Sequence, residues 1–115
     1  MRYLRREFDN PWLCAGDFNE VLCALEQFGG NDREEWMMEG FRDTVDYCQM
    51  TDLGYAGLPY TWDNRQQGNN NIKVRLDRGL GDDRFMEAFD NIAIQHAQTT
   101  ESDHCALVIL IKRSD

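Results

Sequence analysis

Apolar residues along this chain fall into short blocks divided by polar and glycine-rich breaks, and the spacing inside each block predicts a different element. Met1 to Phe8 alternate basic and apolar positions and stop at Asp9-Asn10-Pro11, a break that fits the end of a helix begun elsewhere. Trp12 to Ala15 is an apolar run closed by Gly16, which predicts a buried strand delivering Asp17-Phe18-Asn19-Glu20 to a loop. Phe28 to Asp32 reads as a turn, with Asn31 or Asp32 able to cap a helix over about 33 to 49. Its apolar face is expected to carry Trp36, Met37, Gly40, Phe41, Thr44, Val45 and Cys48.

The second half reads mostly as strand. Asp52 to Pro59 is turn-rich, and Tyr60-Thr61-Trp62 suits a pleated surface entering a hairpin whose turn is Gln67 to Asn71. Ile72, Val74 and Leu76 then alternate with Lys73, Arg75 and Asp77, as a half-buried strand would. Asp82-Asp83 can open a short helix through Phe89, and strands are expected at Ile92 to Gln95 and Cys105 to Ile111. Between those two strands lies the polar loop Thr99 to His104, the kind of connection on which functional groups collect.

Size and composition narrow the class. The 115 residues fit one small domain, and 42% hydrophobic with 29% charged residues argues against disorder or a fibrous repeat. No run reaches the roughly 18 apolar residues of a membrane span, and no apolar segment follows the basic N-terminus as a secretory leader requires, so an intracellular protein is expected. Cys14, Cys23, Cys48 and Cys105 are too scattered for a zinc or redox motif and are expected as buried free thiols. A zinc site using His96, His104 and nearby cysteines lacks chelating spacing. The net charge of −9 opposes a basic nucleic-acid-binding surface, yet it is compatible with a carboxylate-rich site for divalent cations.

Such chemistry has candidates here. Metal-assisted phosphodiester cleavage needs hard oxygen ligands, a positioned water and donors for the phosphoryl oxygens. Asp17 and Asp103 are carboxylates at expected strand ends, Asn19 is an amide donor, and His104 can titrate. Asp77 could orient His104 by accepting its Nδ1 hydrogen, although spacing alone favours ordinary pairing with Arg75 or Arg78.

Gly16-Asp17-Phe18-Asn19, Arg75-Leu76-Asp77-Arg78 and Ser102-Asp103-His104 occur in that order, and together they resemble the endonuclease/exonuclease/phosphatase superfamily. A finer similarity is to the endonuclease domain of plant LINE-type (non-LTR) retrotransposons. It rests on Pro11 to Glu20, Asp52-Leu53-Gly54-Tyr55 with Gly57, Tyr60 to Arg65 and Val74 to Arg78, and covers nearly the whole chain.

The resemblance implies an α/β fold, half of a four-layer sandwich of the DNase I-like type, with mostly antiparallel or mixed sheet and flanking helices. Residues 1–115 would correspond to the C-terminal half of that domain, without the strand bearing the family's metal-binding Glu. It further implies a cofactor, Mg2+ or Mn2+, and DNA as substrate, hence a nuclear protein if it acts on DNA. Asp17 would act on the attacking water or its metal, Asn19 would hold the phosphate, and Asp103 would join Asp17 at the metal. His104, oriented by Asp77, would stabilise phosphoryl oxygens or transfer a proton, while Thr61 and Trp62 would line the substrate groove. A half-domain would leave a sheet face uncovered, so a homodimer or partner-binding module without catalysis is the alternative.

Overall fold

The computed structural model describes residues 10–113, so the helix end expected at Met1 to Phe8 lies outside the described residues. Those described form a mixed α/β structure, mostly sheet, with two helices and three small sheets. In the first sheet, β1 (Leu13–Asp17) and β3 (Met50–Asp52) both pair antiparallel with the central β7 (Asp77–Asp82). The second is antiparallel and places β6 (Lys73–Val74) between β2 (Gln27–Phe28) and β5 (Trp62–Asp63). In the third, β8 (Phe89–Ala97) pairs antiparallel with β9 (Ala106–Arg113) and parallel with β4 (Ala56–Gly57).

Helix α1 (Glu35–Tyr47) forms where the periodicity predicts, but its N-cap is Glu34, without a side-chain capping bond, rather than Asn31 or Asp32. Its buried stripe is also narrower than expected. Met38, Phe41, Val45 and the C-cap Cys48 follow a strict three-to-four spacing into the core, whereas Trp36, about half a turn from their midline, is 69% exposed. Val45, Cys48, Met50 and Leu80 form one core cluster with Trp12, Cys14, Phe18, Leu22 and Phe41 against it. Val21, Met38, Val74 and Leu76 form a second beneath Trp62 and Ile72. Burying an aliphatic side chain of this kind stabilises by roughly 1.5–3 kcal/mol, so α1, which contributes to both clusters, ties the first two sheets together.

The largest departure from the pattern lies in the Lys73–Asp82 region. The expected half-buried strand splits at Arg75-Leu76 into β6 and β7, and every residue from Val74 to Asp82 is buried. β7 is covered because β1 and β3 flank it and the third sheet packs close by. A Cβ at Gly79 would stand 2.2 Å from Ile94 Cδ1, so a larger residue there would require the Ile94 side chain to move. Conversely β1, expected buried, is an edge strand with Ala15 and Asp17 exposed.

Helix α2 (Asp83–Ala88) begins as expected, with the fully buried Asp82 as its N-cap. One oxygen, Oδ1, accepts both Phe85 N–H at 2.9 Å and Trp12 N–H at 3.0 Å, pinning the chain before β1 to the start of the helix. The four thiols are free, but not uniformly buried: Cys48 is enclosed, Cys14 and Cys105 are half-buried, and Cys23 is exposed beside the 3-10 turn Ala24–Glu26. No helix among the described residues is long and apolar enough to cross a membrane.

Candidate functional site

The bend between β6 and β7 is held by a closed ring of charge. The Arg75 guanidinium bonds Asp52 through both Nη atoms at 2.9 Å and Glu26 at 3.0 Å. Arg78, fully buried, bonds Glu26 at 2.7 and 3.0 Å and Asp52 at 2.9 Å, and donates to Arg75 O at 3.0 Å. Burial works against the charge on Glu26 and Asp52, but the arginines, together with backbone N–H bonds from Leu22 to Glu26 and from Gly54 to Asp52, hold both carboxyls below their ordinary pKa values. Arg75 also lies over the Tyr55 ring at 4.7 Å, and Arg78 over Phe41 at 5.5 Å. Both arginines are thus committed to Glu26 and Asp52, and Asp77 between them pairs elsewhere.

That pairing is with His104. Asp77 Oδ2 lies 2.7 Å from His104 Nδ1, which places a hydrogen bond there and leaves Nε2, 3.9 Å from Asp17 Oδ2, as the ring's other nitrogen. Asp77 pairs with His104 rather than with Arg75 or Arg78, whose guanidinium groups bond Glu26 and Asp52. Ser102 Oγ accepts His104 N–H at 3.1 Å and fixes the loop beneath the ring.

Asp17 completes the group through strand register. It is the direct cross-strand partner of Asp77, two carboxylates opposed where like charges repel unless a cation or proton lies between them. Its Oδ2 is 3.9 Å from His104 Nε2, and ligand atoms of Asp17, Asp77 and His104 all lie within 4.8 Å of one another. After Asp17 the chain turns sharply: Asn19 takes φ 57°, which asparagine tolerates, and its N–H bonds Asp17 Oδ1 at 2.8 Å. The amide orientation that satisfies both groups directs the Asn19 NH2 to Asp17 at 3.3 Å. Burial disfavours the imidazolium, yet the Asp77 bond and the charges of Asp77, Asp17 and Asp103 raise the His104 pKa above its ordinary value.

Asp103, expected with Asp17 at a metal, stands outside this group. Its Oδ2 accepts the Trp62 indole N–H at 3.0 Å, while its carbonyl accepts Asp63 N–H at 3.2 Å. Trp62 and Asp103 border a groove of about 820 Å³ that runs from His104 to Arg65 and Lys73. Thr61 also borders the groove, but it is only 1% exposed and its hydroxyl is turned inward. His96, weighed as a zinc ligand, is buried with Nδ1 2.6 Å from Leu58 O and its ring stacked on Tyr55.

Asp17, Asp77 and His104 form a group that could hold a metal ion. Asp17 offers an exposed carboxylate oxygen and Asp77 a buried one, with a His104 ring nitrogen within reach of both. His104 is committed through Nδ1 to Asp77, which leaves Nε2 as its nitrogen for a metal or another partner. Sequence reasoning missed the Glu26–Asp52–Arg75–Arg78 ring. Arg75 and Arg78, three positions apart and so on opposite faces of an expected strand, were its signal, because one of them must face the core and a buried guanidinium requires a paired carboxylate. Comparisons with protein-family models, curated proteins and solved structures return no match to this chain.

Proposed function

We propose that the chain carries the acid–base half of a metal-dependent phosphodiesterase site, of the DNA endonuclease type suggested by its sequence motifs. The observation carrying this reading is the 2.7 Å His104–Asp77 pair facing Asp17 across one strand register. Asp17 would orient the attacking water and accept its proton, and His104 Nε2 would donate to the phosphoryl oxygens. Asn19, one turn from Asp17, would steady the phosphate by exchanging its bond to that carboxylate for one to phosphate. Mg2+ or Mn2+ held by Asp17 and Asp77 would neutralise charge on the reacting phosphate. On this reading the three sheets are half of a DNase I-like sandwich, the other half being supplied by further chain or a second copy, and the site of action is nuclear DNA.

The test is nicking of supercoiled plasmid in Mg2+ or Mn2+, with Asp17→Asn and His104→Ala as controls. Metal-dependent nicking lost in both variants is expected; equal nicking by wild type and variants would reject the reading. A second reading, a binding module without catalysis, is favoured by one feature: Val108 and Leu110 on β9 are exposed on one face, with Ala93 opposite Leu110. Binding of a partner that survives His104→Ala, by protein that never nicks, would favour it.

A further inference from the structure

Thr61 was expected to touch substrate, but its hydroxyl faces the protein. A hydroxyl has one hydrogen to donate and two lone pairs to accept with. Thr61 Oγ1 accepts Leu76 N–H at 2.9 Å and Asp77 N–H at 3.0 Å, and its own hydrogen points to Val74 O at 3.5 Å. Leu76 lies at the bend where β6 ends and Asp77 opens β7, so the Thr61 hydroxyl holds the backbone where the two strands part.

The main chain of the same residue reaches both ways. Thr61 N–H donates to Val74 O at 3.0 Å, and Thr61 O accepts Cys105 N–H at 2.6 Å, adjacent to the Trp62–His104 bridge. Asp77 and His104 are 27 positions apart in sequence, and Thr61 bonds the backbone of Asp77 on one side and of His104's neighbour on the other.

We infer that Thr61 is a positioning residue that sets the distance between Asp77 and His104, not a substrate contact. The inference rests on the hydrolase reading only for its catalytic meaning; the coupling it describes stands on geometry alone. Thr61→Val keeps shape and removes all three hydroxyl functions, whereas Thr61→Ser keeps them and removes only a methyl.

The experiment is proton and nitrogen-15 NMR of the full chain, reading the downfield Nδ1–H resonance of His104 that a short carboxylate bond produces. That resonance should be present in wild type and Thr61→Ser, and absent or moved upfield in Thr61→Val with the sheet amide pattern retained. A folded Thr61→Val protein with an unchanged resonance would overturn the inference. Should that variant not fold, amide exchange in the wild type decides: Leu76 and Asp77 amides must be protected, and fast exchange at both overturns it. Loss of the resonance in Thr61→Ser also overturns it, because the hydroxyl is still there. Plasmid nicking is read separately: its absence in wild type, with the resonance pattern as expected, removes the hydrolase reading and leaves Thr61's role intact.

Discussion

Two charged clusters flank the Arg75-Leu76-Asp77-Arg78 segment, and they are built on opposite plans. The ring of Glu26, Asp52, Arg75 and Arg78 balances two cations against two anions, with every partner bonded at 3.0 Å or less. The group of Asp17, Asp77 and His104 sets two carboxylates against a single imidazole at the protein edge, with Asp103 adding a third negative field. The closed ring has no unspent charge with which to meet a ligand, whereas the open group has an excess that a proton or cation must answer. A single strand segment feeds both, so the ring's first service is to hold the bend that presents Asp77.

Breaking the ring is expected to have the largest effect. Arg78→Met leaves Glu26 and Asp52 short of their partner, and urea denaturation should show a loss of about 3–5 kcal/mol, as found when one member of a buried ion pair is removed. A loss under 1 kcal/mol would mean that the ring contributes little net stability. His104→Ala should do the reverse: a smaller stability loss of about 1–3 kcal/mol, from leaving the buried Asp77 without its partner, but on the proposed reading nicking slower by about 10²–10⁴-fold, the usual range for a positioned acid or base.

Acid separates the clusters further. Glu26 and Asp52 have lowered pKa values in the folded protein, so their contribution is present above the ordinary carboxylate range and disappears as pH falls through the folded values. Stability measured by thermal melting should therefore decline in acid, and the decline should flatten in Arg78→Met. The imidazole behaves oppositely. Its raised pKa gives a contribution present below the ordinary histidine value and lost as pH rises through the raised one, and Asp77→Asn should move that midpoint down. An NMR titration of the His104 ring checks both the sign and its dependence on Asp77. The smallest effect is expected from Trp62→Phe, which removes the indole bond to Asp103 at an exposed site and should cost about 1 kcal/mol or less in a melt.

Helix α1, helix α2, the existence though not the pairing of β8 and β9, and the hairpin around Gln67 to Asn71 were legible in the sequence because local spacing and turn chemistry determine them. The split of β6 from β7 was not, since it depends on Glu26 and Asp52, which are 49 and 23 positions from Arg75. The alternation of Ile72, Val74 and Leu76 described one strand with one wet face, but β1, β3 and the third sheet enclose β7 on all sides. At the site, residue types were readable but partners were not. Asp103 meets Trp62 and Thr61 turns inward because of pairings across the hairpin that no single segment encodes.

The distribution of thiols makes the chain its own reporter of opening. Cys23 stands in solvent, and its alkylation should proceed at the pace of an unhindered thiol whether or not the protein is folded. Cys48 is 1% exposed between α1 and β3, so a reagent reaches it only when that cluster comes apart. The ratio of the two labelling rates, followed by mass spectrometry, therefore measures how often the α1 cluster opens under native conditions, with no dye, tag or denaturant added.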